Sequence, residues 1–150
     1  MQTLPLLSDL KKYTNDAVVQ YYCKKYPEIS LKNAQQIFND LLEWMWLNCQ
    51  RKENQVKTYM FGPLLNLDRM WHVFILHTRV YMAFCQIYFG GYFHHDIEPI
   101  GEEYQPSPDE LYQFLNDCFD HLGEEWVLRN FGHVLEMESG EILSQAHSPS

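Results

Sequence analysis

Residues Asp68 to Asp96 read DRMWHVFILHTRVYMAFCQIYFGGYFHHD, and this stretch decides the fold. Drawn as a helix of 3.6 residues per turn, it is apolar on nearly every side, which is typical of a buried helix. Asn66 is expected to cap the helix, and Gly90-Gly91 is expected to end it in a left-handed turn. The stretch therefore predicts a buried central helix over about residues 66–89.

The segments around this stretch also show helical spacing. Apolar residues recur at steps of three and four through residues 31–49 and again through 108–122, and residues 124–131 predict a further short helix. Ser30 is an expected N-cap, and Ser107 to Glu110 form a capping box with proline at the first helical position. We predict an all-α fold, a single compact helical domain of about five helices over residues 1–143. A disordered polar tail follows at 144–150.

The chain is acidic, and its charge excludes some partners. It carries 11 basic and 20 acidic side chains, a formal net charge of −9 in 150 residues. Nucleic acid and anionic membrane surfaces both require a basic footprint, so neither is an expected partner. No Sec signal or spanning segment is visible, and the four cysteines form no C-x-x-C pair. We predict a cytoplasmic protein with reduced thiols; export by a non-Sec route stays open.

Polar residues of the central helix supply the candidate binding site. Asp68, His72 and Arg79 fall within a narrow arc of a regular helix, and Trp71 lies beside them. These four residues are the candidate contacts for a protein or small-molecule partner. Trp71 is nevertheless expected in the core, because a large ring on an apolar helix is usually buried.

Histidines, acids and a thiol in the same stretch also suggest a divalent metal such as zinc. On a straight helix, Phe89 lies too far from His72 for His94 or His95 to return to it. Any metal ligands of this stretch would therefore form two separate sites. One would use Asp68 and His72 at the helix start, and the other would use His94, His95, Asp96 and Cys85 at the helix end. His121, His133 or an acid of residues 98–103 would complete either set.

Each of these residues also has a simpler structural interpretation. Asp68 one turn before His72 is typical of a hydrogen bond that fixes one imidazole tautomer beneath a covering helix. Cys85 is then a small buried hydrophobe, and His94-His95 an exposed loop pair. In this interpretation the protein has no cofactor.

A family resemblance rests on Asp68, Trp71-His72, Thr78, Tyr81, Phe84-Cys85, Gly90 and His94-His95. This pattern resembles the signature of a bacterial family of small uncharacterised proteins. With His77 and Asp96 it is also similar to a segment of the plant glycine-rich-domain-containing proteins, in which a further histidine is expected where Phe74 stands. The resemblance covers about residues 37–99 and implies a shared helical module without an established reaction.

Two classes of function follow. The sequence contains no G-x-G-x-x-G, P-loop, G-x-S-x-G or H-E-x-x-H motif, so no catalytic set is assembled. The leading hypothesis is a non-enzymatic binding or interaction protein. The alternative is a metal-binding protein or metal-dependent enzyme that uses the histidine, aspartate and cysteine side chains of residues 68–96.

Overall fold

The computed structural model describes residues 4–60, 62–95 and 105–132, and these residues are mostly helical. The helices are α1 (Leu7–Leu10), α2 (Asp16–Lys25), α3 (Leu31–Glu53), α4 (Leu65–Leu76), α5 (Thr78–Phe89) and α6 (Pro108–Leu122). A 3₁₀ turn, Gly62–Leu64, precedes α4, and residues 124–132 are helical after α6. These ranges contain no strand, so the predicted all-α class is confirmed. The predicted tail at 144–150 lies outside the described residues.

Several helix ends follow the expected local chemistry. The Ser30 side chain accepts a hydrogen bond from the Asn33 amide at the start of α3. Ser107 and Glu110 form the predicted reciprocal capping box at α6. Gly90 ends α5 with φ 65°, a left-handed conformation that glycine adopts without steric cost. These polar contacts satisfy backbone groups that the helix itself leaves unpaired.

The predicted central helix is wrong in its continuity and at its start. His77, with φ −83° and ψ 67°, separates α4 from α5 in an inverse γ-turn conformation. The Trp71 indole donates to the Tyr81 hydroxyl at 2.9 Å, although ten residues of straight helix span about 15 Å. The chain therefore bends sharply at His77. Helix α4 follows the 3₁₀ turn directly, so Asn66 lies inside it and does not cap it.

Helix α3 occupies the centre that residues 66–89 were predicted to hold. It packs against α1, α2, α4 and α6, whereas α5 packs chiefly on α4. Its 23 residues span about 35 Å, long enough to cross the molecule. Residues 41–45 of α3 are all buried, which requires neighbours on every side. Helix α3 and residues 66–89 are both rich in apolar residues. Hydrophobicity alone therefore did not indicate which of the two segments is surrounded by other helices.

Aromatic rings build the core between α3, α4 and α5. Phe74 lies 5.2 Å from Phe38, 4.9 Å from Tyr81 and 5.0 Å from Phe84, measured between ring centroids. All four rings are buried. Such tilted and edge-on pairs are the favoured geometry for aromatic contacts. The bend at His77 is thus held by packing on both of its sides.

Two buried charges on α3 attach the C-terminal helices. Asp40 accepts hydrogen bonds from Arg129 and Asn130, and its carbonyl accepts one from the Trp126 indole. Arg51, at the other end of α3, pairs with Asp117. Removing one partner of a buried ion pair leaves an uncompensated charge, so these contacts fix how α6 and residues 124–132 lie on α3.

A third buried ionisable residue of α3, Glu43, makes stability depend on pH. Burial raises the pKa of Glu43 to about 7, although the Lys11 ammonium lies 3.6 Å away. The fold therefore favours the neutral acid, and the unfolded chain releases this proton near pH 4.3. Between these values the folded state binds more protons, so stability falls as pH rises. The loss amounts to roughly 3 kcal/mol by pH 8.

Urea unfolding of Glu43→Gln at pH 5 and pH 8 checks this expectation. The variant should lose less stability between the two pH values than the wild type does, since an amide does not ionise. Glu28→Gln, at an exposed residue, serves as the control and should keep the wild-type pH dependence. If wild type and Glu43→Gln lost the same stability between pH 5 and pH 8, the expected role of this acid would be contradicted.

Within the described part of the chain, no helix is both long and apolar enough to cross a membrane.

Candidate functional site

The bend at His77 brings His95 to Asp68 and His72, two polar residues one helical turn apart on α4. His95 Nε2 lies 2.7 Å from Asp68 Oδ1, and His72 Nδ1 lies 3.5 Å from Asp68 Oδ2. The two imidazole rings are stacked, with centroids 4.6 Å apart and an interplanar angle of 22°. We call Asp68, His72 and His95 the Asp68 cluster.

This arrangement corrects the expectation of two separate sites. If the helix ran straight from Asp68 to Phe89, His95 would not reach His72. Because α5 turns back at His77, the chain that leaves α5 returns to the first turns of α4. The helix-start pair and one histidine of the predicted helix-end site therefore form a single cluster.

A network of buried groups holds His95 in place. The Trp71 ring stacks on the His95 imidazole, with centroids 4.0 Å apart. The Trp71 indole donates to the Tyr81 hydroxyl, which in turn donates to the Phe93 carbonyl at 2.6 Å. Phe93 lies two residues before His95, and its ring is buried. The network thus fixes both the plane of the imidazole and the backbone that carries it.

The electrostatics of the cluster keep its carboxylate ionised. Partial burial alone would raise the pKa of Asp68, but the hydrogen bond from His95 and the charges of His72 and His95 outweigh it. The pKa of Asp68 is therefore lowered below its usual value. An ionised carboxylate beside two imidazoles is an acceptor for a proton or a cation.

The exposure of the cluster decreases from His72 to His95. The His72 side chain is 49% exposed, that of Asp68 22% and that of His95 16%. One ligand atom from each residue can be chosen so that all three lie within 4.8 Å of one another. Solvent therefore reaches the cluster at His72, while the residues at its other end are fixed by packing.

Among the described residues, Arg79 and the other predicted metal ligands do not join the cluster. Arg79 is exposed on α5 and no longer shares a helix face with Asp68, since the bend separates them. Cys85 is buried, and burial raises the pKa of its thiol. His94 is exposed against the Tyr92 ring, 4.7 Å away between centroids. Asp96 lies outside the described residues.

Three structural interpretations are also corrected. His95 is not an exposed loop residue but packs on Trp71, because the returning chain lies against α4. The short contact of Asp68 is made to His95, while His72 is 3.5 Å away. Among the described residues, His95 of the returning chain contacts the Asp68 carboxylate in place of the expected covering helix. Trp71 itself is in the core, 4% exposed, as expected.

The Tyr81 hydroxyl is expected to contribute measurably to stability. Tyr81→Phe keeps the ring but leaves the buried Trp71 indole and the Phe93 carbonyl each without this partner. Unsatisfied buried groups of this kind cost about 1 kcal/mol or more each, so a loss of roughly 2 kcal/mol is expected in urea unfolding.

Tyr22→Phe is the matched control for this change. Tyr22 is also fully buried, but its hydroxyl has no hydrogen-bond partner among the described residues. Removing it should therefore change stability by less than about 1 kcal/mol. Equal losses for the two variants would show that the Tyr81 hydroxyl bonds add nothing specific.

The fold and the site define a class of protein: an α-helical protein in which a carboxylate and two imidazoles lie together at a partly exposed site. The chain matches the UCP032817-like family over residues 9–110, and it belongs to that family. The match contains the whole Asp68 cluster and extends beyond the residues 37–99 of the resemblance, so it includes α2 and all of α3. No curated protein and no solved structure shows significant similarity to the chain.

Proposed function

We propose that this protein binds a divalent metal ion, with Asp68, His72 and His95 as ligands. One observation carries the proposal: three side chains of metal-binding type, from residues as far apart as 68 and 95, present ligand atoms within 4.8 Å of one another. Aspartate and histidine are common zinc ligands, and this combination also suits other first-row divalent ions.

Small movements would convert the cluster into a coordination shell. Zinc bonds of about 2.0–2.2 Å in tetrahedral geometry place ligand atoms roughly 3.3 Å apart. The 2.7 Å contact between Asp68 and His95 would widen slightly, and the ion would replace the proton that the two residues share. His72 would move inward, and its half-exposed side chain has the freedom to do so.

The number of ligands indicates what kind of site this is. Structural zinc sites are closed by four protein ligands, whereas three protein ligands leave a position for water or a small molecule. We assign the site a binding role and no reaction. The sequence favoured a metal-free interaction protein because the chain is acidic, rich in aromatic rings and poor in motifs. We place metal binding ahead of it because the three ligand atoms lie together.

Two further expectations belong to this proposal. We also propose that the bacterial and plant proteins that the sequence resembles share the signature at Asp68, Trp71-His72 and His94-His95. All four cysteines are free thiols, which supports the expectation of a reducing, cytoplasmic location.

Calorimetric titration of untagged protein with zinc chloride tests the proposal. One equivalent of zinc should bind to the wild type, and Asp68→Asn should weaken binding because the amide is a poor ligand. Asp109→Asn, at an exposed acid on α6, should bind as the wild type does. No saturable binding, or equal binding by wild type and Asp68→Asn, would refute the assignment.

A further inference from the structure

A groove lies between α3 and the end of α5, apart from the Asp68 cluster. It consists of two cavities of about 400 and 310 Å³, which meet at Cys49, Lys52 and Phe89. Small-molecule sites in proteins typically have volumes of about 300–1,000 Å³. No residue of the Asp68 cluster lines either cavity, so this groove needs a separate explanation.

The first cavity is mostly apolar. Leu4, Pro5, Tyr88 and Phe89 contribute its walls, and Glu53 is the one carboxylate among the described residues that line it. Cys49 lies where the two cavities meet, and burial raises the pKa of its thiol to about 11, so the thiol is neutral. A hydrocarbon chain would replace water against these walls at a favourable free energy.

The described residues that line the second cavity include three with hydrogen-bonding side chains and none with a carboxylate. Asn48, Lys52 and His94 all line it. In the part of the chain that the structure describes, the Lys52 ammonium has no ion-pair partner. The Asn48 side chain makes no hydrogen bond with any of these residues. The His94 ring packs against the Tyr92 ring. An ammonium, an amide and an imidazole together can donate several hydrogen bonds to one anionic group.

We propose that this groove binds an amphipathic carboxylate, an anionic head on an apolar chain. The chain would lie in the first cavity, and the head would lie in the second, beside Lys52. Charge complementarity selects this ligand class: a cationic head would meet an unpaired ammonium, and a neutral alcohol would forgo the charge-assisted bond. The proposal is independent of metal binding.

Titration with three ten-carbon probes, below their micelle concentrations, tests the proposal. Decanoate should bind with one-to-one stoichiometry, and decanol and decyltrimethylammonium at least tenfold more weakly. Amide chemical shifts in nuclear magnetic resonance spectra should move mainly at Cys49, Lys52, Phe89 and their neighbours. Equal affinity for the three probes, no saturation with decanoate, or shifts located elsewhere would each overturn the proposal.

The Lys52→Gln variant tests the contact to the head group. Lys52 is exposed, so the substitution should leave the fold intact. Hydrogen bonds to charged groups contribute about 1.5–3 kcal/mol, so decanoate should bind about ten- to a hundredfold more weakly. Lys32→Gln, at an exposed lysine in the first turn of the same helix, should bind decanoate as the wild type does. Unchanged binding by Lys52→Gln would contradict the proposed position of the head.

Discussion

Replacement of His95 by alanine is expected to weaken zinc binding about a hundredfold and to leave the protein folded. The proposed shell has only three protein ligands, and His95 is the one that packing holds most firmly. Structural zinc sites with four ligands bind with about 10–16 kcal/mol, so one ligand is worth roughly 3 kcal/mol, or about two orders of magnitude. Competition titration with a chromophoric chelator measures such a change.

The neighbouring histidine provides the control. His94 has the same chemistry and adjoins His95, but its side chain is exposed and outside the cluster. His94→Ala should bind zinc with wild-type affinity. If both variants lost binding equally, or only His94→Ala lost it, the ligand assignment would be wrong. Circular dichroism of the metal-free variants separates loss of binding from loss of fold.

Replacement of Trp71 by alanine is expected to destabilise the protein by about 3–5 kcal/mol. The indole is 4% exposed and lies 5.2 Å from Trp44 and 5.5 Å from Phe93 between ring centroids. Its loss creates a cavity and removes the donor of the bond to Tyr81. It also removes the ring against which His95 is stacked, so the variant should bind zinc more weakly wherever it is still folded.

Urea unfolding of Trp71→Ala, with Tyr112→Ala as a control, measures the first of these effects. Tyr112 is 67% exposed on α6, and its substitution should change stability by less than about 0.5 kcal/mol. A loss below about 1 kcal/mol for Trp71→Ala would mean that the ring is not part of the core. Trp71 would then return as a candidate contact for a partner.

The sequence predicted the helices and many of their ends well. The fold class, the capping contacts of Ser30 and Ser107 and the glycine end at Gly90 agree with the structure. These features depend on local chemistry, since a hydroxyl caps the amide three residues later and glycine tolerates a positive φ. Helix caps and glycine ends are determined by residues close together in the sequence, so they can be predicted from a single sequence.

The bend at His77 was not predictable in the same way. No proline or glycine occurs between Asp68 and Phe89, and the stretch is apolar on nearly every side. Such a pattern stays compatible with one long helix or with two, because burial is favourable in both. The bend is held by tertiary contacts, of which the bond between Trp71 and Tyr81 is the clearest. These contacts depend on how α4 and α5 pack and are not encoded in local spacing.

Because the bend was not predictable, the sequence predicted only part of the candidate site. Asp68 and His72 lie one helical turn apart, and this pairing follows from spacing alone. The addition of His95, and the exclusion of Cys85 and His94, depend on the path of the chain after the bend. The role of Tyr81 in holding the Phe93 backbone has no signal in the sequence, where Tyr81 is one more ring of an apolar helix.

The most direct test of the proposed metal site is X-ray absorption spectroscopy of the zinc-loaded protein. The expected first shell contains only nitrogen and oxygen at about 2.0–2.2 Å, with outer scattering from two imidazoles. Cys85 is buried away from the cluster, so no sulfur should appear at about 2.3 Å. A sulfur ligand, a shell with fewer than two imidazoles, or zinc that is lost on desalting would contradict the assignment of Asp68, His72 and His95 as one metal site.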